Sequence, residues 1–219
     1  MTGKDIRKRL LVEGAVDRRV IAELMERNGV PWPKGHEPVD IHAQEGDQKL
    51  LAFLQSPELD YEFKNGRLKS LGVILDADDS AASTWDAVRN RCESFIPELP
   101  KVLDGKGLIT AKRDKIRFGV WIMPDNRSTG MLETFLRVLV KPDQERFWAH
   151  AANATAAAKK AGAPFRDPAH RDKANIHTFL AWQDPPGLQL HESIRDKVLD
   201  PTSAFAGPFV AWFRKLFEV

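Results

Sequence analysis

Residues 71–78 read Leu-Gly-Val-Ile-Leu-Asp-Ala-Asp, an apolar run that ends in two acids one residue apart. A continuous apolar run of this kind is typical of a strand that is covered on both faces, as in a parallel sheet. Residues 9–13 (RLLVE) and 118–123 (FGVWIM) show the same pattern, and residues 39–43 alternate between apolar and polar side chains. The sequence therefore predicts that these four segments are strands.

Apolar residues at helical spacing lie between the predicted strands. The first helix ends at Gly29, before Pro31, and further helices begin near Asp47, Asp79 and Met131. Regular alternation of strand and helix predicts an α/β fold, in which helices flank a mostly parallel sheet. In such sheets the ligand binds outside the carboxyl ends of the strands.

The composition changes after about residue 140, where the chain becomes rich in helical patterns. An alanine-rich helix comes first, Asp167 and Pro168 are expected at the N-cap and N1 positions of a second, and residues 208–219 form an amphipathic third. We therefore expect residues 1–140 to form the α/β core and residues 141–219 a mostly helical C-terminal extension packed on it.

Composition excludes several classes of protein. The chain has 219 residues, with 33 Lys+Arg against 31 Asp+Glu, so it is not a wholly basic nucleic-acid binder. This balance does not exclude a local basic groove. The one cysteine, Cys92, excludes a disulfide framework, and its place on an apolar helical stripe indicates the core. No signal peptide or membrane-spanning run is visible, so we expect a cytoplasmic protein without membrane contact.

Acids lie at the carboxyl ends of three of the predicted strands. Glu13 follows the first strand, Asp76 and Asp78 the third, and Asp125 the last. Like charges this close repel unless a cation or protons compensate, and Mg²⁺ prefers such oxygen ligands. The pattern predicts a divalent-cation site at one edge of the sheet, although Asp125 and Asn126 are equally suited to an Asx-turn.

The other acids near these loops also have ordinary structural explanations. Asp17 and Glu133 lie in the first turns of predicted helices, where a negative charge favours the helix dipole. Asp79 or Ser80 could cap the helix that follows. What favours a functional site is that clusters from distant parts of the sequence map to the same edge of one sheet.

Three segments together resemble the TOPRIM superfamily, which includes type IA and type II topoisomerases, bacterial primases and OLD-type nucleases. Residues 11–17 (LVEGAVD) resemble its first motif, and residues 74–78 (ILDAD) its second motif, DxD after a buried strand. Residues 119–136 (GVWIMPDNRSTGMLETFL) resemble the late motif of OLD-like members. The resemblance covers roughly residues 8–140, and points to a small stand-alone TOPRIM family of uncharacterised function related to OLD nucleases.

The resemblance implies a compact, mostly parallel TOPRIM sheet whose acids bind Mg²⁺ or Mn²⁺, with two ions expected. Glu13 would be the general acid/base or a metal ligand. Asp76 and Asp78 would be metal ligands, and Asp17 and Glu133 would complete a second metal position.

Side chains near the motifs could help to bind substrate. Arg18, Arg19 and Arg127 could contact a phosphate, and the alternative for each is ordinary solvation. Minor roles at the same site are open to Asp79, Asp125 and Asn126.

Two departures narrow the resemblance. The primase-like second motif continues to a glycine, whereas Asp79-Ser80 follows here, which favours OLD-like nucleases. The one tyrosine, Tyr61, is expected in a polar loop, so a topoisomerase nucleophile is not indicated.

We therefore expect a divalent-metal-dependent nuclease, the nuclease subunit of an ATPase-linked defence or repair system. OLD-like nucleases usually carry an ABC-type ATPase, and this chain has no Walker motif, so a separate ABC- or AAA-type ATPase is the expected partner besides DNA or RNA. The apolar stripe of the last helix could dock this partner or pack on the core. The alternatives are a non-catalytic TOPRIM interaction subunit and a structural α/β protein, and a homo-oligomer stays open.

Overall fold

The computed structural model describes residues 8–111 and 116–219 and contains a five-stranded sheet. In chain order the strands are β1 (Lys8–Val12), β2 (Asp40–Ala43), β3 (Ser70–Asp76), β4 (Leu108–Ala111) and β5 (Arg117–Met123). Their order in the sheet is β2-β1-β3-β5-β4, with β1, β2, β3 and β5 parallel and β4 antiparallel to β5. The four predicted strands are confirmed, and β4 is an addition at the edge.

Helices flank this sheet, so the predicted α/β class is confirmed. Within the described ranges the α-helices are α1 (Ala15–Arg27), α2 (Asp47–Phe53), α3 (Pro57–Lys64), α4 (Ala81–Cys92), α5 (Leu132–Arg137), α6 (Glu145–Lys160), α7 (Arg171–Ala181), α8 (Leu190–Arg195) and α9 (Gly207–Phe217). A 3₁₀ turn spans Pro142–Gln144. No helix in residues 8–111 or 116–219 is long and apolar enough to cross a membrane.

Two local predictions were wrong. Tyr61 lies in α3 rather than in a loop; Ser56 caps this helix, accepting a hydrogen bond from the Leu59 N–H at 3.2 Å. The helix expected to begin at Asp167 begins at Arg171, with His170 at its N-cap. The Asp167 carboxylate instead accepts a hydrogen bond from the Arg171 side chain at 2.7 Å.

The two faces of the sheet carry separate apolar clusters. On one face α2, α3 and α4 pack against the sheet, and Cys92 is fully buried among their side chains, as predicted. On the other face α1 and α5 form one cluster with α6 to α9 of the C-terminal extension. The extension therefore shares a hydrophobic core with the α/β core.

Helix α9 is buried in that shared core. Its apolar stripe has no exposed member that could dock a partner, which decides between the two expectations for this stripe; its residues are Phe209, Trp212, Phe213, Leu216 and Phe217. The indole N–H of Trp212 also donates a hydrogen bond to the carbonyl of Leu108 at 2.8 Å. This bond ties α9 to the edge strand β4.

Two glycines in register let α9 lie close to the sheet. Gly72 of β3 pairs with Gly119 of β5. A Cβ atom at Gly119 would lie 2.6 Å from Leu216 Cδ2, and one at Gly72 would lie 2.8 Å from Phe217 Cζ. Side chains at either position would push α9 away, so the glycine pair sets the depth at which this helix packs.

We expect Gly119→Ala to lower the free energy of unfolding by about 1–3 kcal/mol, because the new methyl group overpacks the contact with Leu216. Urea titration followed by circular dichroism measures the change.

Gly207→Ala is the matched control, because a Cβ there meets no heavy atom within 4 Å. Alanine also favours a helix over glycine, so this variant should be at least as stable as the wild type. Equal stability of Gly119→Ala and the wild type would contradict the close-packing account.

Candidate functional site

A cavity of about 740 Å³ opens at the carboxyl edge of the parallel strands. Five acids from the α/β core line it. Glu45 is exposed and pairs with Lys49 at 2.7 Å, and the other four are Glu13, Asp17, Asp76 and Glu133. The opposite wall comes from the C-terminal extension, through α7 and residues 187–191. The cavity therefore lies between the two parts of the chain, at the edge where a parallel sheet binds its ligands.

Glu13 and Asp76 are held together by the backbone. Glu13 follows β1 and Asp76 ends β3, and these strands are neighbours in the sheet. The backbone N–H of Asp76 donates a hydrogen bond to Glu13 Oε1 at 2.8 Å. Asp76 Oδ1 in turn accepts a hydrogen bond from the backbone N–H of Leu132 at 2.9 Å. Each carboxylate is thus oriented through one oxygen.

Two loops bring the first turn of α5 to this pair. The backbones of Asp78 and Gly130 exchange two hydrogen bonds of 2.8 Å, which join the loop after β3 to the loop before α5. Glu133 follows in that turn, with only 4% of its surface exposed. Asp78 itself is exposed, with a positive φ of 47°, and does not line the cavity.

Asp17 reaches the same cavity from α1. Its Oδ2 accepts a hydrogen bond from the Gly14 N–H at 3.0 Å, so it also caps the start of α1. Burial, with a contribution from the negative charge of Glu133, raises the pKa of Asp17. The structural and functional interpretations of this residue are therefore compatible.

The electrostatics of the site favour protonation or a bound cation. Burial raises the pKa of Asp76 to about 9, and the charges of Glu13, Asp17 and Glu133 add to the effect. Burial likewise raises the pKa of Glu13 to about 7, with help from Asp17 and Asp78. Asp78 therefore acts on the site through its charge, from outside the cavity.

The donor set of the cavity suits a hard divalent cation. Glu13, Asp17, Asp76 and Glu133 all offer oxygen, the ligand that Mg²⁺ prefers, and a positive charge would relieve their mutual repulsion. Among the described residues, the second oxygens of Glu13 and Asp76 have no hydrogen-bond donor. As the side chains stand in residues 8–111 and 116–219, no three His, Cys, Asp or Glu residues form a preassembled metal-binding group.

The loop after β5 uses its polar residues locally. Asp125 accepts hydrogen bonds from the backbone N–H groups of Arg127 and Ser128, at 3.0 and 2.7 Å, and so forms the Asx-turn. Buried Asn126 accepts a hydrogen bond from the Ile122 N–H at 2.7 Å. The Arg127 guanidinium lies against Gly105. None of these three residues lines the cavity. Asp125 and Asn126 instead form local hydrogen bonds, and Arg127 packs against Gly105.

The remaining candidates divide between the cavity and the surface. Arg19 lines the cavity, where its guanidinium donates a hydrogen bond to Gln189 at 3.4 Å. Arg18 and Asp79 are exposed and do not line it. Ser80, rather than Asp79, caps α4 by accepting a hydrogen bond from the Ser83 N–H at 3.2 Å.

Sequence reasoning missed the wall that the extension supplies. Lys173 and His177 line the cavity from α7, and His191 lines it from α8. Lys173 Nζ lies 3.1 Å from Glu133 Oε1. The spacing of Lys173 and His177 by four residues puts both on one face of α7, but no local pattern shows that this face meets the acids.

The raised pKa values predict a stability that falls with pH. A carboxyl whose pKa is higher in the folded than in the unfolded chain keeps a proton that the unfolded chain loses, so the free energy of unfolding decreases from about pH 4 upward. Without divalent ions, Asp76→Asn should therefore unfold at higher urea than the wild type at pH 8. One pKa unit is worth about 1.4 kcal/mol, which is the smallest gain we expect.

Asp79→Asn is the control, because it removes an exposed acid from the same loop. Its pH dependence should follow the wild type. If the free energy of unfolding of Asp76→Asn has the same pH dependence as that of the wild type from pH 5 to pH 9, the raised pKa of Asp76 is contradicted.

The sequence matches one known family over residues 7–218, a match that includes every residue lining the cavity. No curated protein and no solved structure matches the chain. The match covers the α/β core and the C-terminal extension alike. The chain belongs to this family, which is described as protein of unknown function DUF3226.

Proposed function

We propose that this protein is a TOPRIM-like, divalent-metal-dependent nuclease that cleaves phosphodiester bonds of nucleic acid. The observation that carries the proposal is the convergence of Glu13, Asp17, Asp76 and Glu133 on one cavity. Glu13 follows β1, and the other three lie in α1, β3 and α5, the positions at which the sequence resembles TOPRIM motifs. Retention of the acids in one cavity favours an enzyme over a structural α/β protein.

The chain's own residues would divide the work of such a site. A bound Mg²⁺ or Mn²⁺ would polarise the phosphate and lower the pKa of a water. Asp76 and Asp17 would hold the cation, since both line the cavity. Glu13, whose pKa burial raises to about 7, is suited to accept a proton at neutral pH.

Substrate phosphates would meet positive charge at the wall of the cavity. Arg19 lies at this wall, and its contact with Gln189 is long enough, at 3.4 Å, to be exchanged for a phosphate oxygen. Arginine binds phosphate with two parallel hydrogen bonds, which suits it to position a nucleic-acid backbone.

A cation that binds only the folded site should stabilise the protein. At about 100 times its dissociation constant, Mg²⁺ or Mn²⁺ should add about 2.7 kcal/mol and raise the melting temperature of the wild type. Glu13→Gln/Asp76→Asn should show no such rise, because the ligand Asp76 and the neighbouring carboxylate of Glu13 have both lost their charge. Differential scanning fluorimetry measures both proteins, with Asp79→Asn as the control that keeps the wild-type response.

Cleavage is tested with plasmid, single-stranded DNA and RNA, each with and without Mn²⁺. The wild type should cut at least one of them only when the metal is present. Glu13→Gln should reduce the rate about 100-fold or more while keeping the fold, since the side chains have nearly the same shape. Undiminished cleavage by Glu13→Gln would assign the activity to a contaminant or another site, and failure of the wild type on all three substrates would favour the non-catalytic subunit.

A further inference from the structure

Lys173 brings a positive charge into the candidate site from the C-terminal extension. Its Nζ lies 3.1 Å from Glu133 Oε1, and the Glu133 side chain is 6% exposed. The neighbouring Asp172 fixes the approach of α7, because its carboxylate accepts a hydrogen bond from the Thr134 hydroxyl at 2.7 Å. The ion pair is therefore built into the packing of α5 against α7.

The ammonium group acts on more than one carboxylate. A lysine ammonium is charged at neutral pH. Lys173 lines the same cavity as Glu133, Asp76 and Asp17, so its charge faces three acids of the site. A second divalent ion would need the same position, next to these acids.

We propose that Lys173 takes the place of the second metal ion, so that the site binds a single Mg²⁺ or Mn²⁺. The inference rests on the proposed metal-dependent function and changes the two-ion expectation drawn from the TOPRIM resemblance. Glu133, expected there as a metal ligand, is instead the partner of the lysine.

The remaining ligands suffice for one ion. Glu13, Asp17 and Asp76 are the cavity carboxylates that have no ion-pair partner among the described residues. Mg²⁺ is usually held by one or two protein carboxylates and keeps several waters, so Asp17 and Asp76 suffice for one ion and Glu13 stays free to accept a proton. A second ion would have to share these carboxylates while lying next to the ammonium group of Lys173. Two neighbouring positive charges repel each other.

The test counts bound metal. Equilibrium dialysis against Mn²⁺ at pH 7.5, with electron paramagnetic resonance of the bound fraction, should give one Mn²⁺ per wild-type chain. Lys173→Gln removes the charge and keeps a hydrogen-bond donor for Glu133, so it should bind two. Lys173→Asn repeats the charge removal if the first variant does not fold, and circular dichroism checks each protein.

Two controls separate charge from side-chain loss. Lys173→Arg keeps the charge and should bind one Mn²⁺. Lys160→Gln removes an exposed lysine at the end of α6 and should also bind one.

The possible counts distinguish this inference from the function on which it rests. Two Mn²⁺ per wild-type chain would overturn the role of Lys173 and leave the metal-dependent function standing. One Mn²⁺ in both the wild type and the lysine-to-amide variants would also overturn that role. No bound Mn²⁺ in the wild type would overturn both proposals.

Discussion

The parallel hydrogen bonding of β3 to its neighbours β1 and β5 fixes where the acids at the strand ends lie. Because the three strands run in the same direction, they end at one edge, and the next residues emerge there together. The bond from the Asp76 N–H to Glu13 is a direct consequence, since it joins the ends of two adjacent strands. The backbone thus brings the acids together although their charges repel.

That repulsion must be compensated, and the fold does so from the other side of the cavity. Burial raises the pKa of Asp76 to about 9, and the neighbouring acids add to this rise. The C-terminal extension contributes the positive charge of Lys173, which pairs with Glu133. The same extension packs α9 closely on the sheet at Gly72 and Gly119. Apolar burial in α9 and elsewhere supplies the stability that allows a folded chain to hold like charges at one edge.

The sequence predicted the parts of the fold and site that have local signals. Apolar runs located β1, β3 and β5, and the acids after them located Glu13 and Asp76. At Asp125 the structure shows the Asx-turn that the sequence left open, and Asp78 is exposed and does not line the cavity. Lys173 carried no such signal, because its role depends on how α7 packs against α5.

The position of Lys173 also bears on how the chain is divided. A boundary near residue 140 separates the two sequence patterns. The cavity, however, is lined by acids from before this boundary and by the ammonium group of Lys173 from after it. Without α7, Glu133 would lose its ion-pair partner and the cavity would lose part of its wall, which would admit water. Solvation would then relieve the repulsion that a cation otherwise relieves, and the site would hold a metal less tightly. The extension is therefore part of the site's electrostatics.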